Sequence, residues 1–379
     1  MNRTLILSLA AAGLTVGAAA SAADITVMTR NQYLGADIGP LIATAGTDGF
    51  NDAVIATLTQ IAANRAPERL DALAREILDR GPQLVGLQEV WEFTCLPAPG
   101  LPLPPGFGCD DPQIRGAFND HLGLTLTALG GRYAAVAQVT NLDLQSFGVY
   151  PGIPFVVNGV PAFLQVRDRD VILASSGGAG SATPGNFGCA APFVSDDGCN
   201  FQFAVELALI GRIERGFVGV DVTVDGQRYR FVNTHLEVRD APIPPVVQAV
   251  QMQELLARIA VTTPADRTLI LAGDFNSDPG EAADPYPTPY LQARAAGFAD
   301  AWLLRPGNVA GLTCCQAADL RNTPSWLSQR IDHLFLGTMP SRVKQVRTLG
   351  ATVSERLAPP GRGLWPSDHA AVVADLTYR

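Results

Sequence analysis

The amino-acid sequence predicts an α/β sandwich, in which sheets pack face to face with helices outside. Three observations carry that expectation. Short β-type runs recur along the whole chain. Two stretches, 67–80 and 246–260, place apolar residues at helical spacing between those runs. Residues 217–234 form alternating runs on either side of Asp225-Gly226, the clearest hairpin signal present. No internal repeat emerges.

Taken in order, residues 1–23 read as a secretory leader: Arg3 supplies the positive start, 5–20 is apolar, and Ser21-Ala22-Ala23 offers small residues for cleavage before Asp24 or one residue earlier. The apolar stretch is short and rich in Ala and Gly, which favours a leader over a membrane anchor. A strand over 24–31 ends at Asn31. The helix over 67–80 has Leu70, Leu73, Ala74, Ile77 and Leu78 on one stripe, Pro67 in its first turn and Gly81 as its stop. A buried strand follows over 83–90. Residues 95–109, dense in Pro and Gly, are expected to be a surface loop without regular structure.

The apolar stretch 147–166 is broken by Pro151, Pro154 and Pro161 and turns at Asn158-Gly159. It reads either as a hairpin packed on the core or as a protrusion touching substrate or lipid. Arg167-Asp168-Arg169-Asp170 leads into a strand over 171–174, and 175–200 is rich in Gly and Ser and reads as a loop. After the 217–234 hairpin, the helix over 246–260 aligns Val250, Met252, Leu255, Leu256 and Ile259. Strands over 268–272, 331–336 and 370–376 complete the chain.

Charge and cysteines bound the function. The 379 residues hold 27 Lys and Arg against 36 Asp and Glu, a net charge of −9 that becomes −10 if Arg3 leaves with the leader. A strong nonspecific grip on nucleic acid is not suggested by that balance, although a local basic groove remains compatible with it. After the leader no segment runs roughly 18 apolar residues, so a soluble, exported chain without a transmembrane anchor is expected, periplasmic or extracellular. The six cysteines of an exported chain point to disulfides, with Cys95–Cys109 and Cys189–Cys199 closing two loops. Adjacent Cys314 and Cys315 either bridge each other or stay reduced. No C-x-x-C occurs, which argues against a zinc cluster.

Polar residues stand at the ends of several strand-like runs: Asn31, Glu89, Asn233 and His235, Asp274 and Asn276, Asp332, and Asp368-His369. Phosphoester hydrolysis needs a hard cation, a base for water and donors around the phosphate. Carboxylates and carboxamides such as Asn31, Glu89, Asp274 and Asn276 are oxygen ligands for Mg²⁺ or Ca²⁺. Histidines such as His235 and His369 move protons near neutral pH, and Asp332 is suited to orient His369. Each residue also has an ordinary reading. Glu89 suits a solvated strand end, Asp274-x-Asn276 an Asx turn, Asn233-Thr234-His235 a turn with a satisfied imidazole, and the Asp-His pairs strand caps. Their joint occurrence in this order favours a site.

The ordered motifs QEV, NTHLE, GDFNS, RIDHLF and SDHAAV resemble the endonuclease/exonuclease/phosphatase superfamily from Asp24 to the C-terminus. The length left after the leader suits one domain over 24–379, with disulfide-stapled insertions near 93–120 and 175–200, as well as it suits two domains. The resemblance implies a four-layered α/β sandwich, two packed mainly antiparallel sheets flanked by helices. It implies Mg²⁺-dependent hydrolysis, with Mn²⁺ or Ca²⁺ as alternatives, by in-line attack of water. Glu89 then corresponds to the main metal ligand with Asn31 beside it, and Asp368 to a polar neighbour or second ligand. Asp274 and Asn276 correspond to the pair that orients water and holds phosphate, His369 to the catalytic histidine with Asp332 behind it, and His235 to the histidine at the phosphate or leaving oxygen. Asn233 and Arg169 are assigned to substrate, Arg169 with an ion-paired hairpin end as the equal alternative. His333 reads as a packed or exposed side chain. The resulting expectation is a monomeric phosphodiesterase of nuclease type acting on a phosphoester in nucleic acid or a phospholipid head group. A sphingomyelinase-type phospholipase C, a phosphomonoesterase and a catalytically silent binding protein are the alternatives.

Overall fold

The structure is a computed structural model that describes residues 22–100, 104–207, 211–239, 243–357 and 363–379. Apart from Ala22 and Ala23, the expected leader lies outside the described residues. Ala23 already belongs to the first strand, opposite Tyr378.

Two eight-stranded sheets face each other. In the first the order is Arg342–Leu349, Ala371–Tyr378, Ala23–Asn31, Leu84–Gln88, Val160–Ser175 and Glu92–Pro97, with Tyr133–Asp143 and Ile153–Val157 also paired to Val160–Ser175. In the second it is Ala299–Asp300, Asp332–Leu336, Thr268–Asp274, Gln227–His235, Gly216–Val224, Gly198–Asn200 and Val194–Ser195, with Thr183–Pro184 on Gly216–Val224. Period-two alternation sends Ile25, Val27, Ile172, Val220, Phe231, Ile270 and Val372 into the layer between the sheets. Met28, Val85 and Leu173 face the other way, onto Ala74 and Ile77 of the helix Ala66–Arg80. The helix Pro245–Thr262 covers the second sheet, laying Met252, Leu255 and Ile259 on Val232, Leu271 and Phe335. The expected sandwich is present as four layers. Truncating an interlayer side chain such as Phe231 to Ala would cost about 3–5 kcal/mol.

Local signals are realised where they were strong. Gly81 ends its helix in the left-handed conformation at φ 62°, and its N–H caps the carbonyl of Ile77. Asp225 and Gly226, at φ 47° and 81°, make the hairpin turn. Three expectations change. Cys95 to Pro97 belong to the strand Glu92–Pro97, because pairing with Ala162–Leu164 overrides their loop composition. The 175–200 segment contains three short strands that hang on the second sheet. The helices Phe50–Ala63 and His121–Leu129 and the strand Tyr133–Asp143 complete the first half without having been anticipated.

Stretch 147–166 is a hairpin turning at Asn158-Gly159. Ile153, Phe155, Val157, Ala162 and Leu164 are buried against Val54 and Leu58, whereas Val149 is 93% and Tyr150 49% exposed. The pairs Cys95–Cys109 and Cys189–Cys199 are joined with Cα separations of 5.6 and 6.0 Å, and Cys314 is joined to Cys315. Among the described residues, no helix is long and apolar enough to cross a membrane.

Candidate active site

Each sheet has one parallel strand pair and an antiparallel strand beside it, and that arrangement builds the site. In the first sheet Ala23–Asn31 and Leu84–Gln88 run parallel, so Asn31 and the Gln88-Glu89 corner emerge at one edge. Ala371–Tyr378 is antiparallel to the first of these and therefore begins at that edge, just after Asp368-His369. In the second sheet Gln227–His235 and Thr268–Asp274 run parallel and end with His235 opposite Asp274. Asp332–Leu336 runs antiparallel and starts with Asp332 opposite Asp274. Gly273 lets this edge close, since a Cβ there would collide with the carbonyl of Thr234.

The two sheets meet through Asn31. Its amide donates to Glu89 Oε1 at 3.0 Å and to Asp274 Oδ2 at 3.1 Å, and its oxygen accepts from the Tyr33 N–H at 2.9 Å. Glu89 Oε2 accepts from the Leu34 N–H at 2.8 Å and from the Trp91 indole at 3.4 Å. Glu89 and Asn276 both hold left-handed backbone, at φ 55° and 47°. Such strain is costly in side-chain-bearing residues and concentrates at functional sites. The Asp274-x-Asn276 turn is also an Asx turn, with the Asn276 N–H 2.9 Å from Asp274 Oδ1.

His369 and Asp332 form a pair, Nδ1 to Oδ2 at 2.9 Å, with Asp274 Oδ2 3.6 Å from the same nitrogen. Burial alone would lower this imidazole, but Asp332, Asp368 and Asp274 together hold it well above the usual histidine value. Burial, reinforced by Asp332, pushes Asp274 up to about 7, and burial pushes Asp368 up to about 6. His235 has a different neighbour. Arg215 Nη1 lies 3.2 Å from its Nδ1. The imidazole Nε2 lies 3.2 Å from the Asn276 amide nitrogen and 3.6 Å from Asp274 Oδ2. The guanidinium and the amide NH₂ only donate, so each ring nitrogen faces a donor and the neutral ring accepts from one of them. Burial and then Arg215 hold His235 well below the usual value, so it is neutral.

The donors suit a hard cation. Asp274 and Asp332 bring carboxylate oxygens together beside His369, whose Nδ1 is engaged by Asp332, and Asp332 Oδ1 is buried with no hydrogen-bond partner. Raised carboxylates and an orphaned carboxylate oxygen are what a divalent cation relieves. Cys314 and Cys315 also approach His369, but their sulfurs are joined to each other.

Two assigned residues do not reach this cluster. Asn233 is fully buried between the sheets. Its amide nitrogen donates to the carbonyls of Leu87 at 2.9 Å and Val171 at 3.2 Å, and its oxygen accepts from Gln88 at 2.6 Å. The missing Cβ of Gly86 makes the room, because one would lie 2.5 Å from Asn233 Oδ1. The structure thus places Asn233 behind the site as a tie between sheets. Arg169 donates to Asp120 at 2.6 Å and to the Val90 carbonyl at 3.3 Å, the ion-paired arrangement. His333 is packed, with Nε2 2.9 Å from the Ser277 carbonyl and Arg330 at its other nitrogen.

Several supporting residues escaped the sequence. Arg30 and Arg69 are fully buried, Arg30 donating to the His369 carbonyl and Arg69 to those of Gln32, Tyr33 and Pro366. Ser367 Oγ donates to the Asn31 carbonyl at 2.9 Å and accepts from the His369 N–H at 3.1 Å. Arg215 is held by Glu237 at 3.4 Å and Asp168 at 3.7 Å, and burial pushes Asp168 up to about 7. The only advance signal was the run of alternating charges around Asp168.

A family model described as Endonuclease/Exonuclease/phosphatase family matches residues 59–369. Among solved structures, the chain is similar to a family protein from Bacteroides thetaiotaomicron, with 15% identity and a TM-score of 0.56 over 95% of this chain and 99% of that one. It is similar to a mannosyl-6-phosphatase from Bacteroides thetaiotaomicron VPI-5482, at 15% identity and a TM-score of 0.53 over 93% and 99%. A family protein from Leptotrichia buccalis C-1013-b shows 14% identity and a TM-score of 0.51 over 93% and 99%. At these identities the likeness speaks for the fold. No curated protein sequence matches. With the family model spanning most of its length and the strand-end cluster in place, the chain belongs to the endonuclease/exonuclease/phosphatase family, whose members are generally hydrolases of phosphoester bonds.

Proposed function

We propose that this protein is an exported, divalent-metal-dependent phosphodiesterase. The observation that carries the reading is the convergence of strand ends from both sheets, which puts Asn31, Glu89 and Asp274 in one hydrogen-bonded set beside the Asp332–His369 pair. Glu89, Asn31 and Asp368 are the residues assigned to the cation, with Mg²⁺ first and Mn²⁺ or Ca²⁺ as alternatives. A bound cation supplies charge that offsets the phosphate oxygens and polarises the phosphoester. Asp274, raised to about 7, is suited to hold the attacking water and accept its proton, with Asn276 fixing the turn that aims it. His369, kept charged by Asp332, donates to a phosphate oxygen. Neutral His235, beside Asp274 and Asn276, stands on the leaving side. The leader-like start and the three cysteine pairs support export.

Between nucleic acid and lipid as the diester, the arginines carry the weight. Arg169 is tied to Asp120 and Arg215 to Glu237 and Asp168, so neither is presented to a polyanion. That favours a phospholipase C-like substrate over a nuclease one. The test is hydrolysis of bis(4-nitrophenyl) phosphate, plasmid DNA, sphingomyelin vesicles and 4-nitrophenyl phosphate by the mature chain, with EDTA or Mg²⁺. Mg²⁺-dependent cleavage of a diester is expected. Turnover indifferent to EDTA, or release confined to the monoester, would overturn the reading.

A further inference from the structure

Beside Glu89 lies a half-open cavity of about 100 Å³. A single water needs roughly 10–15 Å³, so this is more than a packing gap. Apart from Thr57 and the indole of Trp91, every side chain in its wall is hydrocarbon. Its walls come from the helix Phe50–Ala63, the short helix Gly39–Thr44 and the hairpin strands Ile153–Val157 and Val160–Ser175. Leu142 and Ile213 stand at the wall only half-buried. A polar ligand would lose its hydration there without gaining hydrogen bonds, whereas a hydrocarbon gains burial at every carbon.

The cavity shares a wall with the catalytic cluster. Leu34 and Trp91 are both wall residues, and each donates to the same oxygen of Glu89, the first through its backbone N–H at 2.8 Å and the second through its indole at 3.4 Å. A phosphate held at Glu89 and Asp274 therefore has an apolar chamber next to it. The hairpin that supplies Ile153 and Leu164 to the wall also exposes Val149 and Tyr150, with Tyr150 stacked on Phe163. An apolar wall inside and apolar side chains outside on one hairpin suit an amphiphile.

We propose that this cavity binds the hydrocarbon chain of a phosphoester amphiphile, deepening the phosphodiesterase reading on which it rests. Two measurements separate the two ideas. In the first, kcat/KM with Mg²⁺ is measured on 4-nitrophenyl phosphodiesters whose second ester group is methyl, butyl or octyl. The wild type should rise by roughly two- to fourfold per methylene until the cavity is filled. In Leu142→Trp and Ile213→Trp, which narrow the cavity from half-buried positions, the octyl ester should lose about tenfold or more while the methyl ester is unchanged. A wild-type rate indifferent to chain length, or variants with the wild-type chain dependence, overturns the proposal and leaves the hydrolase reading standing.

In the second, octylphosphocholine binding below its micelle concentration is followed by calorimetry in EDTA, with catalysis off. Binding with a negative heat-capacity change, lost in both tryptophan variants, supports the cavity even if none of the esters is turned over. Absence of binding overturns it. Phosphatidylcholine vesicles tested with Val149→Asp and Tyr150→Asp distinguish the source of the chain. Loss on vesicles alone indicates a membrane lipid, and rates equal to wild type indicate a free amphiphile.

Discussion

His369 and His235 stand on opposite sides of Asp274, each 3.6 Å from its Oδ2, yet the two sides of the site keep one charged and the other neutral. On the first side Asp332, Asp368 and Asp274 surround His369 and keep it protonated against the cost of burial. On the second side burial lowers His235, and Arg215, in the position that Asp332 takes for His369, lowers it further. Two residues of one type, both at strand-edge positions and both buried, therefore have different chemistry. What distinguishes them is the sign of the neighbouring charges, carboxylates around one and a guanidinium against the other, acting where low local dielectric magnifies charge.

The largest effects should come from removing the shared carboxylate or the charged side. Asp274→Ala and His369→Ala are each expected to lower kcat/KM by about 10³-fold or more while leaving the far-UV circular dichroism unchanged. Near-wild-type turnover in either would show that the chemistry lies elsewhere. Next, Asp332→Asn keeps the shape but weakens the hold on the His369 proton. A loss of about 10²-fold, with the alkaline limb of the pH–rate profile moved to lower pH, is the expected result, and an unmoved limb would separate Asp332 from His369.

Arg215→Met releases the neutral side. His235 should then titrate closer to its ordinary value, seen by NMR of its ring protons, with a loss of about tenfold in kcat/KM. An unmoved His235 resonance would mean that burial alone, not Arg215, keeps it neutral. The smallest catalytic effect is expected at Arg169. Arg169→Ala should change kcat/KM by less than about threefold but lower Tm by a few degrees, since its guanidinium is engaged by Asp120 and Val90. A large rise in KM would restore Arg169 as a substrate contact.

Stability against pH sharpens the same comparison without any substrate. Asp274 is raised from an unfolded value of 3.8 to about 7, so between those pH values the folded state binds more protons than the unfolded one. Stability from this group is therefore present at low pH and is lost as pH rises through that window. In EDTA, Asp274→Asn should match the wild type near pH 4 and exceed its Tm by roughly 2 °C or more near pH 8. Added Mg²⁺ should narrow that gap by favouring the ionised carboxylate. A constant gap across pH would show that Asp274 does not titrate in that range.

The site was legible in proportion to how local its signals are. Strand-end placement follows from period-two runs ending in polar residues, so Asn31, Glu89, Asp274, Asp332 and His369 stand out in the sequence, and they lie together in the candidate site. Asn233 carried the same signal, but its side chain points inward, and only the facing sheet reveals that its amide is spent on Leu87, Val171 and Gln88. Arg215 had no local mark at all, because its role depends on lying across a hairpin from His235. The helix Phe50–Ala63 lies outside the expected elements, although its apolar residues Val54, Leu58 and Ile61 recur at helical spacing. The strand Glu92–Pro97 was hidden because pairing with a neighbour outweighed a loop-like composition.

The sequence by itself determined the layered class, the main hairpin, the cysteine loops and the set of acids, amides and histidines available for chemistry. These rest on periodicity, turn stereochemistry and residue type, which act over a few neighbouring positions. Only the tertiary structure decided which histidine is charged, which amide ties the sheets together, and that an apolar chamber stands next to Glu89. Burial, charge pairing and cavity shape are set by residues far apart in the chain, and they exist only once the two sheets have closed on each other.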